Sequence, residues 1–93
     1  MYQLKLLPLA ESEILESARY YEEQKEGLGI EFLDELENAK AKLSENPHHY
    51  SFISTDRTFR SFPLQRFPFK LIFEIHDNGV IINSVRHDKR KPF

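Results

Sequence analysis

A chain of 93 residues makes one domain, and with 40% hydrophobic residues, eight Phe and four Tyr it can fill a compact core. That composition excludes a disordered tail, and the absence of cysteine excludes a disulfide framework and thiolate chemistry. The formal net charge of −2 hides an asymmetry: residues 1–46 carry five basic and eleven acidic side chains (−6), residues 47–93 eight basic and four acidic (+4). Such a split points to an anionic partner for the second half, and to a solvated acidic face on the first. Residues 1–8 hold neither a basic n-region nor a long apolar run, so they read as no signal peptide, and no window approaches the ~18 apolar residues of a membrane span. The expectation is a soluble, cytoplasmic single domain over 1–93.

In chain order, Tyr2, Leu4 and Leu6 alternate with Gln3 and Lys5, which predicts a half-buried strand ended by Pro8. Leu9–Gln24 reads as a helix with Ile14, Ala18 and Tyr21 on one stripe, Leu15 beside it, and five glutamates on its solvent side. Gly27-Leu28-Gly29 breaks it. A second helix is predicted from about Ile30 to Glu45, with Phe32, Leu33, Leu36, Ala39 and Leu43 at helical spacing, and Asn46-Pro47 stops it. The short connection makes the pair an antiparallel hairpin. After an irregular stretch, His48–Asp56, strands are predicted at Thr58–Gln65, Phe69–His76 and Val80–His87. Asp77-Asn78-Gly79 supplies a tight turn in which Asn-Gly takes positive φ, and Pro63 and Pro68 make the first of these strands bent or an edge. The predicted architecture is α+β, βααβββ, a helical hairpin packed on a small antiparallel sheet.

Chemistry concentrates in the second half. Arg57, Arg60 and Arg66 lie on or beside one strand, and Arg86 and Arg90 at the end of the last, an arrangement able to form one cationic surface. Guanidinium forks suit carboxylate or phosphate because each binds bidentately. The even spacing of Arg60 and Arg66 puts both on one sheet face if no bulge intervenes; the plainer role for such arginines is pairing with Glu74 and Asp77. His48, His49 and His76 have no partner at metal-ligand spacing, so no metal site is expected. His87, where the last strand runs into Asp88-Lys89-Arg90, is placed either to act as a general acid or base or to hold the chain end against the sheet. The three glycines are all assigned to turns, so no phosphate-binding loop remains.

The ordered set Tyr20-Tyr21, Gly27-Leu28-Gly29, Phe32-Leu33, Asn46-Pro47 with Tyr50, Arg60, Arg66-Phe67-Pro68-Phe69 and His87-Asp88-Lys89-Arg90-Lys91-Pro92 closely resembles the RelE/ParE family of toxins from type II toxin–antitoxin modules, the ParE-like, plasmid-stabilisation branch above all. The resemblance covers almost the whole chain. It implies a helical hairpin on a small sheet, a cognate antitoxin as partner in a hetero-oligomer, and growth inhibition. In the ParE branch the target is DNA gyrase, there is no catalysis and no cofactor, and Arg60, Arg66, His87 and Arg90 mark the target-binding end. The RelE branch implies instead a metal-independent endoribonuclease acting on messenger RNA at the ribosome, with Arg60 and Arg66 on phosphate and His87 as acid/base. A harmless relative that only binds antitoxin is the third reading. A sequence pI near 6.1, the missing Lys-rich stretch before the central strands and the lack of a terminal Tyr favour the ParE branch.

Overall fold

The computed structural model describes residues 1–88, in the order β1 (Gln3–Leu6), α1 (Pro8–Gln24), α2 (Leu28–Glu45), a 3-10 turn (Pro47–His49), β2 (Arg60–Pro63), β3 (Phe69–His76) and β4 (Gly79–His87). Each element begins where local chemistry allows it. Pro8 sits in the first turn of α1, where its missing N–H costs nothing. Helix α2 starts after Gly27, whose φ of 87° is open to glycine and strained for other residues. Gly27 has no side chain to cap the helix, so Glu22 of α1 supplies the acceptor for the N–H groups of Gly27 (2.9 Å) and Gly29 (3.0 Å).

The strands form one sheet in the order β1-β4-β3-β2. Residues 60–87 give the expected antiparallel meander, with β2 on an edge as its prolines require. The first strand departs from the antiparallel expectation. It pairs in parallel with β4, Gln3 opposite Gly79 and Leu6 opposite Ile82, so the sheet is mixed. A parallel partner needs a long connection, and the intervening helices and hairpins provide it. The start of β1 is also tied to the end of α2, through the Tyr2 N–H to the Ser44 carbonyl (2.8 Å) and the Ser44 hydroxyl to the Tyr2 carbonyl (2.7 Å).

Helix α2 buries Phe32, Leu36, Ala39 and Leu43, while Leu33 and Ile30 face outward. On α1, Ala10 is buried, Ile14, Ala18 and Tyr21 pack on the core, and Leu15 is exposed. Four rings lock the hairpin to the sheet. Phe32 lies 5.2 Å from Phe67 and 5.3 Å from Phe69 between centroids, and Tyr21 4.9 Å from Phe67. Tyr21 is therefore core, as its position on the stripe predicts. Among the described residues no helix is long and apolar enough to cross a membrane.

Two glycine assignments change. The β3–β4 turn closes at His76 opposite Gly79, so its two loop residues are Asp77 and Asn78. The positive φ (52°) falls on Asp77, a residue type that tolerates the left-handed region, and Gly79 is already strand. Gly29 is not a turn residue but lies in the first turn of α2, pressed on α1: a Cβ there would sit 2.6 Å from the Ala18 carbonyl oxygen. Gly29→Ala is therefore expected to push the helices apart and cost about 1–3 kcal/mol, read as a lower urea midpoint at unchanged m-value.

Candidate functional site

Of the four residues singled out by sequence, the three that are described, Arg60, Arg66 and His87, do not converge. Arg60 opens β2 opposite Phe73, whereas His87 ends β4 opposite Phe69. Four residues along β3 and two strand spacings across put their Cα atoms roughly 16 Å apart. Strand β2 ends at Pro63, so Arg66 lies in the following loop and the even-spacing argument does not apply to it. That loop brings Arg66 to the Phe69 end of the sheet, the end that also carries His87. Arg90 lies outside the described residues.

Each described cation has its own surroundings. The Arg60 Nη1 donates to the carbonyls of Tyr50 (2.7 Å) and His48 (3.3 Å), and its guanidinium carbon stands 3.8 Å from the centroid of Phe52. Arg66 pairs with Glu31 of α2 (2.5 Å), not with Glu74 or Asp77. Glu35, one turn on, accepts the backbone N–H groups of Gln65 (2.7 Å) and Arg66 (3.0 Å), so two glutamates of the acidic helix fasten the β2–β3 loop. The Arg66 guanidinium, by hydrogen bonding and charge, holds the Glu31 carboxyl below the usual carboxylate range.

His87 lines a groove of about 270 Å³ between α1 and the ends of β3 and β4, its ring edge-on to Phe69 at 5.1 Å. Arg86 lies beside it, opposite Lys70 on β3, so the register sets two cations side by side. The α1 wall consists of Glu13, Glu16, Ser17 and Tyr20.

Glu13 is the residue that sequence reasoning missed. Counted among the solvent-facing glutamates, it is buried, and its Oε1 accepts both the Ser84 hydroxyl and the Val85 N–H at 2.8 Å. Strand β1 reaches only as far as Ile82, so beyond it that edge of β4 has no strand neighbour among the described residues; Glu13 takes a strand's place there. Its position between Ala10 and Ser17 on the helix carried the signal, because that face turns to the sheet. Among the described residues no three His, Cys, Asp or Glu side chains stand close enough to hold a metal ion.

A helical hairpin clasped to a four-stranded mixed sheet is an α+β domain. The family model described as "ParE toxin of type II toxin-antitoxin system, parDE" matches residues 4–92, and the chain belongs to that family, within the RelE/ParE toxins. Comparison with curated protein sequences gives no match. Among solved structures, a chain of the chromosomal ParDE toxin–antitoxin system from P. aeruginosa superposes with a TM-score of 0.79 at 17% identity, covering 94% of this chain and 96% of that one. At that identity the likeness speaks for the fold.

Two outcomes follow from the contacts. Glu13→Ala leaves the Val85 N–H without its acceptor and is expected to cost about 1–3 kcal/mol in chemical denaturation, whereas Glu13→Gln keeps an acceptor oxygen and most of the stability. For Glu31, a lowered folded-state pKa means that its pair with Arg66 stabilises the fold above the ordinary glutamate range and is lost as pH falls through the lowered value. Carboxyl NMR titration should show Glu31 moving up toward its ordinary value in Arg66→Gln.

Proposed function

We propose that this protein is the growth-inhibiting toxin of its module, acting by binding a protein target, DNA gyrase, and neutralised by a cognate antitoxin. The match of the ParE family model over residues 4–92 carries the reading. The ParDE system of the solved relative supports an antitoxin partner.

The side-chain geometry favours binding over RNA cleavage. A nuclease needs its acid, base and phosphate-holding cations within reach of one scissile bond. His87 lies opposite the first residue of β3 and Arg60 opposite its middle, roughly 16 Å away, and Arg66 pairs with Glu31 at the surface. The arrangement suits a broad contact in which separate cations meet separate carboxylates of a partner. Arg66 and His87 are proposed to serve the Phe69 end of that contact and Arg60 a point farther along the sheet; Arg90, proposed with them from the family resemblance, lies outside the described residues.

Purified protein added to DNA gyrase is expected to inhibit negative supercoiling, and addition of the antitoxin to restore it. Supercoiling that proceeds unhindered, together with codon-specific ribosome cuts that disappear in His87→Ala, would establish the endoribonuclease instead.

A further inference from the structure

The loop Ser54–Thr58 and the strand that follows it build a notch that the proposed target contact does not use as a unit. Residues 51–53 run antiparallel to 59–61, through the Ile53 N–H to the Phe59 carbonyl (2.8 Å) and the Ser61 N–H to the Ser51 carbonyl (3.2 Å), with Phe52 bridged to Arg60. The turn between them is over-determined. Ser54 Oγ donates to Asp56 (2.7 Å) and accepts the N–H groups of Thr58 (3.1 Å) and Phe59 (3.0 Å), while the Asp56 carboxylate also accepts from Thr58. These bonds, that of the Ser54 hydroxyl foremost, hold the Asp56 carboxyl below its usual range and occupy it within the loop.

The turn forces Arg57 into the left-handed region (φ 59°), a conformation that costs a non-glycine residue energy and that accumulates at functional sites. Its effect is to bring the Arg57 guanidinium carbon to 5.2 Å from the centroid of Phe52, the ring on which Arg60 already lies at 3.8 Å. Two like charges thus share one aromatic ring. Neither forms an ion pair among the described residues. They open onto a cleft of about 260 Å³ whose lining also includes His48 and Asp77, the other non-glycine residue of positive φ.

We infer that Arg57 and Arg60, held together on Phe52, form a carboxylate-binding notch that receives an aspartate or glutamate side chain from an acidic segment of a protein partner. Arg60 uses Nη1 on the backbone, which leaves Nε and Nη2, the pair of donors whose spacing matches a carboxylate. A polyanion is less well suited. The chain offers two arginines here, not an extended basic track. This deepens the proposed function by giving one partner contact its chemistry, and rests on that reading only in taking the partner to be a protein.

The test is an amide NMR titration of the purified full chain with a short synthetic Glu-Ala repeat peptide, with the Gln-Ala peptide and oligouridylate RNA as further arms. The Glu peptide is expected to move the Phe52, Arg57 and Thr58 amides and to bind roughly tenfold more weakly to Arg57→Gln. The Gln peptide should leave them unmoved. Arg57 is exposed with its side chain outside the hydrogen-bond network, so Arg57→Gln should keep the wild-type spectrum elsewhere, and Arg60→Lys, which keeps the charge but loses the fork, should weaken binding as well. Unchanged affinity in Arg57→Gln, shifts confined to other residues, or tighter binding of the RNA at these amides would overturn the inference. A failed gyrase assay would overturn the proposed target without touching this result.

Discussion

Everything else in this fold depends on the contact among Tyr21, Phe32, Phe67 and Phe69. Phe32 is fully buried, and its ring neighbours come from the other helix, the β2–β3 loop and the third strand. Truncating a buried Phe typically costs about 3–5 kcal/mol, against a total stability of about 5–15 kcal/mol for a domain. Set beside it, the exposed Arg66–Glu31 pair is screened by solvent and adds little energy. The rings hold the loop in place; the two glutamates of α2 set its orientation. Phe69 continues the chain of contacts to His87, so the packing of the hairpin and the placing of the candidate binding end are one problem.

Acidic helices and a basic sheet, the asymmetry visible in the sequence, take on physical meaning in that arrangement. Part of the acidic charge is structural rather than solvating. Glu22 caps the second helix, Glu31 and Glu35 clasp the loop that carries Arg66, and Glu13 stands in for a missing strand beside β4. The basic charge divides into a sheet end near Phe69 and a separate pair on Phe52. A surface built that way favours a partner with several spaced carboxylates, which is the chemistry of an acidic protein segment.

Much of this was legible in the residues. Alternation of Leu4 and Leu6 gave the first strand, the 3.6-residue stripe gave both helices, and the prolines placed β2 at an edge. What stayed hidden depends on distance in space. Parallel pairing of β1 with β4 joins residues far apart in sequence, and no local pattern reports strand direction. Asn83 bulges between Ser84 and Ile82, which pair with Ile72 and Phe73, and a single extra residue leaves no mark on composition. Glu13 resembles any other helical glutamate until the edge it caps is known. The even spacing of Arg60 and Arg66 puts both on one sheet face only for a strand that continues through Gln65, and the chain leaves the sheet at Pro63.

Under the proposed function, this chain arrests growth by binding rather than by cutting RNA. The most direct measurement is the order of events after induced expression, following DNA synthesis and protein synthesis in the same culture together with the integrity of messenger RNA. For a gyrase-binding toxin, DNA synthesis is expected to fall first while transcripts remain intact. Immediate loss of translation accompanied by cleaved messenger RNA would contradict it.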